Sequence, residues 1–257
     1  ADQRRIVATV KTLAGEARKQ RIGTPSIIVV GEVCTLADQF SWYKTLPLSG
    51  ERIVVTRPAG RGMKLQNYLK ELGAEVLSVP VIRTVPVTKK EDLERIRAEL
   101  ERLKEYQVLA FTSPYGVERF FEILLEEGMD ARDVSHMRFA VIGQGTADAL
   151  KEKGIRADYM PEQYDGVSLG RLLCETLEDG AGILLARSSI GAPEILQEIA
   201  KNQSLTYTDL AVYDTRFEEE MGERLRSYME DGDVTKVIFT SSSTVEGFCR
   251  LLGAYPY

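Results

Sequence analysis

The chain has 257 residues, 44% of them hydrophobic, enough for one large domain or two compact ones. Its formal net charge is −6, with Lys and Arg spread along the chain, which argues against a surface that tracks nucleic-acid phosphates. No apolar run approaches the ~18–20 residues of a membrane span, and a single histidine, His136, rules out a His-rich metal centre.

In chain order, Ile6–Gln20 reads as a helix and Ser26–Val30, inside TPSIIVVGEV, as a strand. The segment DQFSWYKTLPL follows as a linker carrying the only tryptophan, Trp42. From there short apolar runs alternate with amphipathic stretches of helical length, the signature of βαβ units and a mainly parallel sheet. The strands are predicted at Arg52–Thr56, Glu75–Val79, Val108–Thr112, Arg138–Ile142, Ile183–Ala186, Thr206–Val212 and Val237–Thr240. The helices between them are predicted at Lys64–Leu72, Asp92–Leu103, Gly116–Glu126, Gly145–Lys153, Val167–Leu177, Ala192–Ala200, Glu218–Met229 and Thr244–Leu252. Gly73 ends the first of these as a helix C-cap.

An internal repeat carries more information. FTSPYGVERF at 111–120 matches FTSSSTVEGF at 239–248, IVVTRP at 53–58 matches ILLARS at 183–188, and VIRT at 81–84 matches VYDT at 212–215. The near-constant spacing points to a duplicated unit of about 130 residues. On that spacing VIGQGTA at 141–147 should recur beyond Tyr257, so a truncated or disordered C-terminus is expected. Segments 84–90 and 214–220 turn polar after buried-looking strands and read as two hinges. The fold class expected is therefore α/β, with two parallel-sheet lobes joined by a two-stranded linker. Lobe one is discontinuous, 49–85 plus 214–257; lobe two is 86–213; residues 1–48 stand apart. A cleft between such lobes is where ligands bind in α/β folds.

Three strand-to-helix turns stand out: Thr112-Ser113-Pro114, Thr240-Ser241-Ser242 and Gly143-Gln144-Gly145-Thr146. Each would present free backbone N–H groups and the positive end of a helix dipole to an anion. Plain helix capping by Ser and Thr produces the same pattern. There is no GxxxxGK[ST] loop, and GQGTAD lacks the third glycine of a dinucleotide site. That leaves carboxylates as the anions, with Arg57 and Arg187 at strand ends as fixed cations. Tyr213 stands where the first copy has Ile82. This departure from the repeat makes it the candidate for proton chemistry, through a neutral phenol that donates a hydrogen bond. A hinge aromatic packing between lobes is the alternative. His136, just before a strand, reads as a loop histidine. Cys34, Cys174 and Cys249, odd in number and far apart, fit a reducing compartment rather than a disulfide frame.

IVVTRP, VLSVPVI, VLAFTSPYGVERF, FAVIGQGTADALKEKGI, ILLARS, AVYDT and VIFTSSSTVEGF together resemble the uroporphyrinogen-III synthases in order and spacing, over roughly 50–257. Residues 1–46 resemble the end of a uroporphyrinogen-III C-methyltransferase, which implies a fusion partner. The resemblance implies a cytoplasmic, cofactor-free and metal-free enzyme of tetrapyrrole biosynthesis whose substrate is hydroxymethylbilane. That linear tetrapyrrole would be cyclised with inversion of ring D through a spiro intermediate, without nucleic-acid or membrane partners. By motif, Tyr213 corresponds to the catalytic tyrosine, and Ser113, Thr146 and Ser241 to residues of the cleft, where carboxylates are held largely by main-chain amides. Arg57, Thr112, Gln144, Arg187, Thr240 and Ser242 complete the substrate-binding candidates. Tyr115 departs from the basic or amide residue usual after TSP. The rival readings are a non-catalytic tetrapyrrole- or polycarboxylate-binding module and a methyltransferase accessory fragment.

Overall fold

The structure, a computed structural model, describes residues 4–40, 45–232 and 234–253. In chain order the regular elements are α1 (Leu13–Lys19), β1 (Arg52–Val55), α2 (Met63–Glu71), β2 (Glu75–Ser78), β3 (Ile82–Pro86), α3 (Lys90–Glu101), β4 (Val108–Phe111) and α4 (Pro114–Glu126). They continue with β5 (Arg138–Val141), α5 (Gln144–Glu152), α6 (Gly166–Thr176), β6 (Gly182–Ser188), α7 (Glu194–Ile199), β7 (Thr206–Phe217), α8 (Gly222–Glu230), β8 (Lys236–Ile238) and α9 (Ser242–Leu252). The chain divides into two compact units, Ala1–Ile82 with Glu218–Tyr257, and Arg83–Phe217.

The first unit holds a three-stranded sheet in the order β2-β1-β8, with β1 parallel to both neighbours. Ile53 and Val55 on β1 pack with Leu69 of α2 and Ala74, so the crossover helix covers the strand that it follows. Gly73 sits at φ +96, just past the end of α2, and a Cβ there would lie 2.8 Å from Leu46 Cβ. The glycine meets both a left-handed backbone and a close approach.

The second unit is built on a five-stranded sheet in the order β3-β7-β6-β4-β5, in which β7, β6, β4 and β5 run parallel. Alternate residues of each strand serve opposite faces. Leu109, Phe111, Leu184 and Ala186 pack with Ile96 and Leu100 of α3, Val117, Phe120 and Leu124 of α4, and Leu150 of α5. Val108, Ala110, Ile183 and Leu185 pack instead with Leu169 and Leu173 of α6 and Ile195 and Ile199 of α7. Burying one such leucine stabilises the fold by about 1.5–3 kcal/mol, and the central strands are apolar throughout because both faces are covered.

The α/β class with parallel sheets is as the alternating pattern indicates. Two local expectations are corrected. Residues 26–30 form no strand: Ile27, Ile28, Val29 and Val30 are 61–92% exposed and have no strand beside them among the described residues. The helix over Ile6–Gln20 shrinks to α1, which buries no residue to hold a longer one. The segments read as the two-stranded linker run as strand, β3 over Ile82–Pro86 and β7 through to Phe217, neighbours in one sheet, and the chain passes between its two units beside or within them, at Ile82/Arg83 and Phe217/Glu218. Trp42 and the C-terminal residues 254–257 lie outside the described residues.

Helices α6 and α7 meet across Gly170, where a Cβ would lie 2.8 Å from Glu198 Cβ and 3.1 Å from the Ile195 carbonyl oxygen. Overpacking of this kind costs about 1–3 kcal/mol, more than the ~0.5–1 kcal/mol that alanine gains over glycine within a helix. Gly170→Ala is therefore expected to lower the unfolding free energy, measured by denaturant titration.

Candidate functional site

Because β7, β6, β4 and β5 run parallel, their carboxyl ends share one edge of the second unit's sheet, and a ligand site is expected outside such an edge. Thr112 and Ser113 follow β4. Ser113 is extended, at φ −158, and caps α4: its Oγ accepts a hydrogen bond from the Gly116 N–H at 3.0 Å, with Pro114 at the first helical position. The same Oγ lies 2.9 Å from the phenol oxygen of Tyr213. Tyr213 is only 6% exposed, and the Tyr115 ring meets it edge-on, centroids 4.9 Å apart at 71°, a favoured aromatic geometry.

The route by which Tyr213 reaches Ser113 is set by strand register. Arg187 of β6 pairs with Ala211 of β7, but Ser188 pairs with Tyr213, so Val212 is an extra residue on β7. A bulge of this kind re-aims the side chains beyond it. Leu210 and Val212 share one face by alternation, and Tyr213, which regular alternation would send to the other face, joins the same cluster. Beyond the bulge, the Ser189 N–H donates to the Tyr213 carbonyl at 3.0 Å, and Ser188 Oγ lies 2.8 Å from Thr215 Oγ1.

The turn after β5 is arranged differently. Gly143 is buried beneath the Tyr164 ring, and a Cβ there would lie 2.8 Å from Tyr164 Cγ. Thr146 is buried in the first turn of α5, while Gln144 is exposed and donates to Asp148 Oδ1 at 2.8 Å along its own helix. Asp165, next to Tyr164, caps α6, and the Ser168 backbone N–H holds its carboxyl below the usual range. Periodicity singles out neither Tyr164 nor Tyr115. Tyr115 is visible only as a departure from the residue expected after TSP, and Tyr164 gives no signal.

The sequence reading of Arg187 as a ligand-facing cation is corrected. It is 4% exposed. Its Nε and Nη2 donate to the two carboxylate oxygens of Asp209 at 2.7 and 2.8 Å, and Nη1 donates to the Ala192 carbonyl. A Cβ on Gly191 would lie 2.6 Å from Nη1, so the guanidinium lies over bare backbone. Arg187 fastens the loop after β6 to β7.

The remaining candidates lie in the first unit, past the carboxyl ends of the adjacent strands β1 and β8. Thr56 Oγ1 donates to the Ile238 carbonyl at 2.8 Å and ties the two ends together. Thr240, Ser241 and Ser242 are exposed where α9 starts, and Ser241 forms a reciprocal capping box with Thr244. Arg57 is half-buried and has no ion-pair or hydrogen-bond partner among the described residues. His136 is a loop histidine whose Nε2 lies 3.1 Å from the Leu103 carbonyl oxygen.

The sequence profile described as Uroporphyrinogen-III synthase HemD matches residues 63–256. The chain belongs to this family. Among relatives of the uroporphyrinogen-III synthase family, the porphyrin biosynthesis protein HemD of Ruminiclostridium josui is 35% identical over 255 residues, 99% of this chain and 50% of that protein. The chain thus spans about half the length of that relative. The uroporphyrinogen-III synthase of Synechococcus elongatus is 26% identical, covering 81% of this chain and 77% of that one. A siroheme synthase of Xylella fastidiosa matches over 49 residues only, at 41% identity, 19% of this chain and 10% of its own. Among solved structures, a mutant uroporphyrinogen III synthase from the extremely thermophilic bacterium Thermus thermophilus superposes with a TM-score of 0.58 at 21% identity, covering 78% of this chain and 76% of that one. That likeness is one of fold.

The two arginines at matched positions of the repeat are expected to respond differently to truncation. Arg187→Ala strands the Asp209 carboxylate and should lower stability by about 2 kcal/mol or more. Arg57→Ala should stay within about 0.5 kcal/mol of the parent. Chemical denaturation of both variants side by side checks this.

Proposed function

We propose that the chain is a uroporphyrinogen-III synthase that acts on hydroxymethylbilane, with Tyr213 as the donor to the departing hydroxyl. Family membership supports the reaction class, and the observation that carries the residue assignment is the 2.9 Å contact between Tyr213 and Ser113 at the carboxyl edge of a parallel sheet. In this reading the Tyr213 phenol hydrogen-bonds to the terminal hydroxyl. The C–O bond then breaks with the push of the pyrrole nitrogen lone pair, and the oxygen leaves as water with the phenol proton. The pyrrole N–H proton returns to the phenolate, giving a neutral azafulvene. Ring closure through a spiro intermediate inverts ring D. Since an azafulvene can also close without inversion, the protein's main contribution is to hold the conformer that leads to the spiro route. In the second unit, carboxylate seats are assigned to the backbone N–H groups at the starts of α4 and α5, with Thr112, Gln144 and Thr146 beside them; in the first unit, taken by itself, the start of α9 with Thr240, Ser241 and Ser242 is a seat of the same kind. Arg57, partnerless among the described residues, is the cation the first unit offers.

We further read residues 1–46 as a piece resembling the end of a uroporphyrinogen-III C-methyltransferase, a fusion partner. The short match to a siroheme synthase supports that reading.

The test is to supply hydroxymethylbilane and resolve the product isomers. The type III isomer is expected; only the non-inverted type I isomer would overturn the proposal and favour a binding module. Tyr213→Phe is expected to lower kcat by about 10–100-fold while leaving detectable type III product, since a positioned acid contributes ~10²–10⁴-fold at most and conformer selection survives the change. Steady-state kinetics on purified variant and parent measures it.

A further inference from the structure

We infer that Ser113 is a positioning residue for Tyr213: its hydroxyl donates to the phenol oxygen and so turns the phenol hydrogen away from the serine, toward the leaving group. The inference rests on the reading of Tyr213 given above and deepens it.

The argument starts from the inventory of one hydroxyl, which has a single hydrogen and two lone pairs. Ser113 Oγ receives the Gly116 N–H at 3.0 Å on one lone pair, as an N-cap must. Its other side-chain partner among the described residues is Tyr213, at 2.9 Å. If Tyr213 donates to Ser113, the hydrogen left over is the serine's; if Ser113 donates, it is the phenol's, which is then the one a bound leaving group can take. The peptide N–H at the start of a 13-residue helix also polarises the oxygen it binds and strengthens the outgoing O–H bond.

Three further observations show that this pair is held from both sides. Helix α4 begins hard against β6, since a Cβ on Gly116 would lie 3.1 Å from the Ala186 carbonyl oxygen and 3.2 Å from Ser113 Oγ. The extra residue on β7 carries Tyr213 onto the α4 face of the sheet. The edge-on Tyr115 ring fixes the plane of the phenol. Capping and aiming thus fall to one oxygen, and substitutions can separate the two tasks.

Ser113→Asp keeps a preferred N-cap but offers only acceptors to the phenol, so it should fold normally by thermal unfolding yet hold the phenol hydrogen inward. Its kcat at saturating hydroxymethylbilane is expected to fall about tenfold or more, in the range of a lost positioned donor. Ser113→Ala should fall similarly. Its basic limb in the kcat–pH profile should move to higher pH, because a hydrogen bond that stabilises the phenolate has gone. Ser113→Thr should restore both rate and limb. The double variant Ser113→Asp/Tyr213→Phe should be no slower than Tyr213→Phe alone. The inference is overturned if Ser113→Asp keeps the parent kcat, if the alanine variant's limb does not move, or if the double-variant losses multiply. A parent chain that yields only the type I isomer would overturn the proposed function and this inference together. An active parent with a fully active Ser113→Asp variant overturns this inference alone.

Discussion

The second unit turns on the one-residue slip between β6 and β7. Side chains of a strand alternate between faces, so the register at Arg187 and Ser188 decides which helix layer Tyr213 meets. Without the slip, Tyr213 would share a face with Leu185, Leu169 and Ile195, away from the cap of α4. With it, the tyrosine crosses over the end of β6 and finds the cap of α4. A serine chosen by helix-capping chemistry and a tyrosine delivered by strand irregularity are thereby brought to hydrogen-bond distance across three strands.

How much of this could be read from residues alone varies by element. The buried strands around Val108–Phe111, Arg138–Val141 and Gly182–Ser188 were legible because continuous apolar runs between turn residues have few other uses in an α/β chain. Ser113 was legible as a cap and candidate, and Tyr213 as the position where the repeat breaks. Their direct contact was not, because periodicity assigns faces by counting and a bulge changes the count. The run Ile27–Val30 misled for the opposite reason. Its composition is that of a strand, but a strand is a pairing relation, and among the described residues no partner lies beside it. The polar segments at 84–90 and 214–220 were legible as the places near which the chain passes between its units, but their strand pairing was not, since backbone bonds between β3 and β7 form whatever the side chains are.

Arg187 shows how burial redirects a charge. Sequence position at a strand end offered a cation for a ligand, but a guanidinium at this depth must have its charge compensated within the fold, and Asp209 supplies that compensation in a two-pronged pair. The loop after β6 is consequently fixed by an ion pair and a carbonyl contact, which leaves the backbone around Ser188 and Ser189 tied to the end of β7.

The contrast between Arg57 and Arg187 has a wider consequence. The two occupy equivalent points of a repeated motif, yet one is partnerless among the described residues and the other is neutralised inside the protein. The matched positions thus carry unequal duties, one leaving a charge available and the other using it as internal scaffolding. Exchange of the matched segments would still leave an arginine at each place, so the asymmetry resides in the surroundings, in Asp209 and the Ala192 carbonyl that receive one guanidinium, rather than in the arginines themselves.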